Sequence, residues 1–342
     1  MGAATATYAC LTPSDRRDSH HDGYQDSDQD ALHENLEDRF QLMETAGMGF
    51  FGIVFYAQLK TDFAVESSLL RSDPSKFDGG RSLQAVRAVK ICNPLCPSGL
   101  KASASYIMKD ISAMKMVWSR MEGHVQHNFV RLLDYNTTET PWYSMEPVLS
   151  GLTLEKMYMT SQQQALPVPE ELAFHIVSQT SQACSFLHDK CRIVRADVNR
   201  ENVMLRYPGR ESKLLPDVVL IDWSLWEEAS AERIVRETEK VYECLLPVLF
   251  EGGWGCGTSH DRRNCEVISN TRHSSEWLDL YRIMCGKQRS LKEVERDFAD
   301  VVDQSRRRVE VGSVEADQVG ALLGMMESSF TEGSLMSALG AA

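Results

Sequence analysis

The chain has 342 residues, 43% of them apolar, and a formal net charge of −13 at pH 7. That length and composition suit one large two-lobed domain, or two ordinary ones, with a sizeable core. So acidic a chain argues against nucleic acid as the principal partner, because a phosphate backbone needs a basic surface. Nine cysteines are scattered without a Cys-x-x-Cys pair, and no apolar run approaches the ~20 residues of a membrane span. Free thiols in a reducing, intracellular compartment, cytoplasmic or nuclear, are therefore expected.

Residues 1–36 are polar, rich in Asp, Gln, Ser and His, and read as a disordered acidic tail. The start Met1-Gly2-Ala3-Ala4-Thr5-Ala6 nearly matches an acylation signal, but Ala6 stands where Ser or Thr is wanted, so no membrane partner is expected. Phe40-Gln41-Leu42 leads into a glycine cluster, and Ile53-Val54-Phe55-Tyr56-Ala57 reads as the returning strand of a hairpin. Residues 61–84 are polar, with Asp73-Pro74 and Gly79-Gly80 as turn signals, and read as an inserted loop. A third strand is expected over Ala85–Cys92.

The spacing of Ile107, Ile111, Met114 and Val117 predicts a helix over 101–120. Phe129–Leu133 and Tyr143–Glu146 read as two further strands. A five-stranded antiparallel sheet with one helix is thus expected before residue 150. After it helices dominate: 169–189, 230–250, 275–286 and 290–308. They are interrupted by short strands at Val203–Leu205 and Val218–Ile221. The fold class is α+β. The tail over 309–342 is expected to be weakly helical and loosely held.

Phosphoryl transfer from ATP needs a cradle for the phosphates, a cation paired to them, hard oxygens for a metal, and a group that orients an acceptor hydroxyl. The run Gly47-Met48-Gly49-Phe50-Phe51-Gly52-Ile53-Val54 supplies a cradle, since glycines let backbone approach phosphate without an intervening side chain. A dinucleotide site would require a helix after such a loop; here a strand follows. Lys90, in Ala88-Val89-Lys90, ends an apolar strand. Asp197 and Asn202 stand five apart in Arg195-Ala196-Asp197-Val198-Asn199-Arg200-Glu201-Asn202, and Asp222 ends a buried strand in Ile221-Asp222-Trp223-Ser224.

The order of glycine loop, A-V-K, D-x-x-x-x-N and D-W-S resembles the protein-kinase superfamily over about residues 38–305. The run His127–Tyr135, the segment Ser144–Val148 and Phe186-Leu187-His188 support it. The resemblance implies a bilobal protein-kinase-like domain over 38–308, with an N-lobe of 38–146 and a C-lobe of 147–308. It implies ATP and Mg2+ as cofactors.

By the same resemblance Gly47, Met48, Gly49, Gly52 and Val54 would cover the triphosphate, and Ala88 would line the adenine pocket. Lys90 would pair with the α and β phosphates. Glu146 to Val148 would be the hinge, Met145 the gatekeeper and Met204 the pocket floor. Asp197 would orient the acceptor and act as base, with Asn199 beside it. Asn202 and Asp222 would hold magnesium, and Asp110 would pair with Lys90. The implied activity is transfer of the ATP γ-phosphate to a hydroxyl, Ser/Thr of a protein first. A pseudokinase that binds nucleotide or a partner without turnover, and a small-molecule kinase, are the alternatives.

Four positions depart from the family pattern. Asp110 replaces Glu and is one methylene shorter, so its ion pair with Lys90 requires a closer helix. Ala196 replaces an Arg that commonly meets a phosphorylated activation loop. Asn199 replaces a catalytic-loop Lys. Ser224 replaces a Gly and lacks its backbone freedom. In addition, little chain separates Ser224 from the helix expected near 230, and no A-P-E follows.

Overall fold

The computed structural model describes residues 36–206, 215–251, 273–326 and 332–339, apart from positions 74, 76, 77, 122, 165, 288 and 313. The expected acidic tail lies outside the described residues except for Leu36. That residue is buried against Phe40 and Trp142.

The architecture is α+β, compatible with a two-lobed arrangement. Five antiparallel strands form the first sheet: β1 (Phe40–Met48), β2 (Gly52–Leu59), β3 (Arg87–Cys92), β4 (Leu132–Asn136) and β5 (Trp142–Met145). Their order is β1-β2-β3-β5-β4. Between β2 and β3 lie α1 (Lys60–Ser72) and α2 (Gly79–Gln84); α3 (Leu100–Ser119) follows β3. The strand expected at Phe129–Leu133 begins later, at Leu132. Phe129 instead bridges Leu220 in the second sheet, which pulls its ring into the main core.

Helix α3 shows why a seven-residue spacing matters. Ser103, Ile107 and Asp110 recur at i, i+4 and i+7, so they share the face turned to the sheet, and all are buried. That face carries two polar groups into a dry layer, and both must be satisfied there.

The second part begins with β6 (Leu152–Thr153) and α4 (Leu154–Gln164). It continues through α5 (Glu170–Phe186), which ends in a π turn over Leu187–Cys191. Helix α5 is buried almost all round and forms the centre of the larger core. Strands β8 (Val203–Arg206) and β9 (Asp217–Leu220) pair with β6 in the order β6-β8-β9. Strand β7 (Ile193–Arg195) pairs with β10 (Trp226–Glu228). Helices α6 (Ala231–Leu246), α7 (Ser275–Gly286), α8 (Leu291–Asp297), α9 (Ala299–Glu310), α10 (Val314–Met326) and α11 (Glu332–Ala338) complete the described chain. None of the described helices is long and apolar enough to cross a membrane.

Two regions differ from expectation. The stretch read as a loop over 61–84 contains α1 and α2, the latter capped by Asp78, whose carboxylate accepts from Arg81 N–H at 3.1 Å. The tail over 309–342 holds α10 and α11, and Leu335 and Leu339 are buried against Tyr56, Leu70 and Val86. The 61–84 stretch is mostly polar, and its short helices depend on tertiary packing, α2 against α11 included, while Val319, Leu322 and Leu323 of α10 join the main core.

Candidate functional site

A cleft of about 730 Å³ is lined by β1, β2, β3, β5 and β8 together with the loops at 197–202 and 221–225. Its roof is the β1–β2 turn, closed by a Gly49 N–H to Gly52 carbonyl bond at 2.8 Å. A Cβ at Gly52 would lie 2.7 Å from Lys90 Cε and 3.0 Å from the Ile91 carbonyl, so only glycine lets this turn rest on the Lys90 stem.

Lys90 is the electrostatic centre. Its ammonium donates to Asp110 Oδ2 at 2.8 Å and to Asp222 Oδ1 at 3.3 Å. Asp110 also accepts from the Trp223 N–H at 2.7 Å and the Tyr143 hydroxyl at 3.2 Å. Burial alone would pull the Lys90 ammonium down; the facing carboxylates outweigh it and hold it well above its ordinary value. Complete burial raises Asp110 to about 6, with Lys90 and the Trp223 N–H opposing the shift. Asp222 feels burial too, but Lys90 and the Ser224 hydroxyl and N–H lower it to about 2. Its side chain is 35% exposed at the cleft, which accords with a readily ionised group.

The loop at 197–202 is organised by amides. Asn202 Nδ2 donates to Asp197 Oδ2 at 3.1 Å, and Asn199 Nδ2 donates to Asp197 Oδ1 at 3.1 Å. Asn199 Oδ1 in turn accepts from the N–H groups of Glu201 and Asn202, capping a turn of 3-10 helix. Buried Arg195 donates to the carbonyls of Ile221 at 2.5 Å and Asp222 at 3.1 Å, and its guanidinium lies 5.2 Å from the Trp223 ring centroid. Those bonds hold Asp222 in a left-handed conformation, φ 59°, which Asp adopts more readily than most residues.

Gly47, Met48, Gly49, Gly52, Val54, Ala88, Lys90, Met145, Glu146, Val148, Asp197, Asn199, Asn202, Met204 and Asp222 all line this one cleft. Asp110 stands behind Lys90 with 0% exposure. The shorter Asp side chain does reach Lys90, because α3 packs directly on β3. Ser224 has no need of glycine's freedom, since the positive φ falls on Asp222, and its hydroxyl donates to Asp222 Oδ1 at 2.8 Å. Glu146 spends its N–H on the Arg131 carbonyl, and its carboxylate lies 3.7 Å from Arg206.

Sequence reasoning overlooked Tyr143, Arg195 and Glu237. Glu237 is buried on α6, where it accepts from the Arg195 N–H at 2.7 Å and from His188. Polarity in an apolar run was the only signal for Tyr143 and for Arg195, which follows Ile193-Val194; Glu237 stands in the polar stretch Arg236–Lys240 and carried none. Among the described residues, no three His, Cys, Asp or Glu side chains converge as a metal cage. No family model matches the chain, and no curated protein matches it.

Proposed function

We propose that this chain binds Mg-ATP in the cleft and transfers its γ-phosphate to a hydroxyl, as a phosphotransferase with a bilobal protein-kinase-like fold. The observation that carries the proposal is the placement of Lys90 between Asp110 and Asp222, with Asp197 and Asn202 across the same cleft. A buried lysine held charged on two sides is poised to neutralise phosphate oxygens.

The β1–β2 turn covers the phosphates, and the backbone of Glu146 to Val148 meets the adenine beside Met145, Ala88 and Met204. Asp197 orients the acceptor hydroxyl and takes its proton. The acceptor oxygen bonds the γ-phosphorus as the β–γ bridging bond breaks, and ADP leaves. Asn199 offers an amide dipole where a cation would be stronger. Asn202, through its amide oxygen, and Asp222 would hold Mg2+, a cation that prefers such hard oxygen donors. Bound there, the metal would offset charge on the phosphate oxygens.

A protein Ser/Thr is the first acceptor reading. A compact alcohol is the second, and one observation favours it: β10 closes on β7 and α6 begins at Ala231, which leaves a short segment after Asp222. Purified protein with Mg-ATP, offered protein acceptors, sugars, choline-like alcohols and aminoglycosides, tests both. Transfer to one class selects it. Thermal stabilisation by ATP without transfer, hydrolysis or autophosphorylation leaves a nucleotide-binding pseudokinase, in keeping with Ala196 and Asn199. Absence of any stabilisation by ATP would sink the proposal.

A further inference from the structure

The carbonyls of the β1–β2 turn are held by residues outside the turn. Asn93, just past β3, donates through Nδ2 to the Gly49 carbonyl at 2.9 Å and more weakly to the Phe50 carbonyl at 3.4 Å. Ser103, in the first turns of α3, donates its hydroxyl to the Phe51 carbonyl at 2.5 Å. The Asn93 N–H approaches that same carbonyl at 3.4 Å and donates to Ser103 Oγ at 2.9 Å. Asn93 Oδ1 is occupied by the Leu95 N–H at 2.9 Å, which fixes the amide's orientation. Asn93 is 6% exposed and Ser103 0% exposed. The Phe51 ring stacks on Tyr106 of α3 with centroids 3.5 Å apart.

In a trans peptide, the C=O of one residue and the N–H of the next point in opposite directions. Holding the Gly49 and Phe51 carbonyls on the α3 side therefore turns the N–H groups of Phe50 and Gly52 the other way. Phe50, Gly52 and Lys90 line one cleft, so N–H groups turned away from the α3 anchor can meet a ligand held there. Successive N–H groups turned to one side make an anion-binding concavity. Ser103 and Asp110 share one face of α3, so a single helix holds the turn and the Lys90 partner together.

We propose that Asn93 and Ser103 are positioning residues that tie the glycine-rich turn to α3, presenting the Phe50 and Gly52 N–H groups to the phosphates of the nucleotide. This rests on the nucleotide reading given above. It goes further by assigning the anchoring of the turn to α3, the helix that also carries Asp110.

The test compares Mg-ATP with adenosine, measured by calorimetry on the full chain, in wild type, Asn93→Asp and Ser103→Ala. Asn93→Asp is isosteric and keeps the acceptor for Leu95 while losing the donor to the turn. Each variant is expected to lose about fivefold to tenfold in Mg-ATP affinity, the size of one or two hydrogen bonds, with adenosine affinity unchanged. Amide hydrogen exchange at Gly49, whose N–H closes the turn on the Gly52 carbonyl, is expected to speed in both variants without nucleotide. Unchanged ATP affinity, or equal losses for ATP and adenosine, would overturn the proposal. A wild type that binds neither ligand defeats the nucleotide reading itself. In that case the turn anchor stands or falls on exchange alone: faster exchange in the variants upholds it, and unchanged exchange overturns it.

Discussion

The two walls of the cleft are built on different physics. On the Lys90 wall, charge is buried and paired: Lys90, Asp110 and Tyr143 are 6%, 0% and 1% exposed, and a second carboxylate, Asp222, completes the group. On the Asp197 wall, a half-buried carboxylate is held by two neutral amides, Asn199 and Asn202. Charges in a dry layer interact strongly and tolerate little change, whereas amide dipoles near water hold geometry at small cost. The Lys90 wall should therefore govern stability and nucleotide affinity together, and the Asp197 wall should govern transfer alone.

The sharpest way to break this comparison is Asp197→Asn. The substitution preserves shape and leaves the Lys90 wall untouched. It is expected to lower transfer by about 10³-fold or more, within the range for loss of a general base or orienting carboxylate. ATP affinity, read by calorimetry, should stay within about twofold. A comparable loss of affinity would show that the two walls are not separable.

Asp110→Ala attacks the other wall. It removes one partner of a buried pair and leaves Lys90 with Asp222 alone. The expected loss is about 3 kcal/mol of unfolding free energy, together with weaker ATP binding. Chemical denaturation at pH 7 checks the first. A stable variant with normal ATP affinity would mean that Lys90 is held by Asp222 and not by α3.

Much of this was legible in the chain, and the limits are physical. The glycine turn, Lys90, Asp197, Asn202 and Asp222 could be read because each belongs to a short local pattern whose order survives without knowledge of the fold. Asp110 could be read only through the resemblance, as the residue aligned with the partner of Lys90; the period of α3 explains why it faces the sheet. Asn93 and Ser103 could not, since their role depends on a turn more than 40 residues away. The helices in 61–84, and the packing of the C-terminal ones, were hidden for a related reason. Leu70 and Val86 meet Leu335 and Leu339 only after folding brings the two ends of the chain together.

That contact gives a smaller effect. Leu335→Ala should destabilise by about 2 kcal/mol, the low end for truncating a buried leucine, because α11 is peripheral. The same substitution loosens Tyr56, which packs on Leu335 and also lines the cleft, so a modest loss of ATP affinity should accompany it. Loss of stability with unchanged affinity would show that the tail braces the sheet without reaching the cleft.

The smallest effect is the most telling, because two readouts should move in opposite directions. Asp110 is raised to about 6 in the folded protein from an ordinary 3.8, by burial first and by Asp222 against the pull of Lys90. A carboxyl whose folded value is raised stabilises the fold fully below its unfolded value and loses that contribution as pH rises through the folded one. Acidification from pH 6 to 4 should therefore bring a stabilising contribution from Asp110. Asp222, lowered to about 2, opposes this only below about pH 4, where its own contribution begins to fade. Nucleotide affinity should run the other way, since protonating Asp110 weakens the hold on the Lys90 ammonium. About half of the Asp110-dependent affinity should be gone at pH 6, since a group is half protonated at its pKa. Asp110→Asn is neutral at every pH and should abolish both trends. If wild type and Asp110→Asn show the same profile between pH 7 and 5, the titrating group lies elsewhere, and the burial of Asp110 has no bearing on the proposed nucleotide affinity.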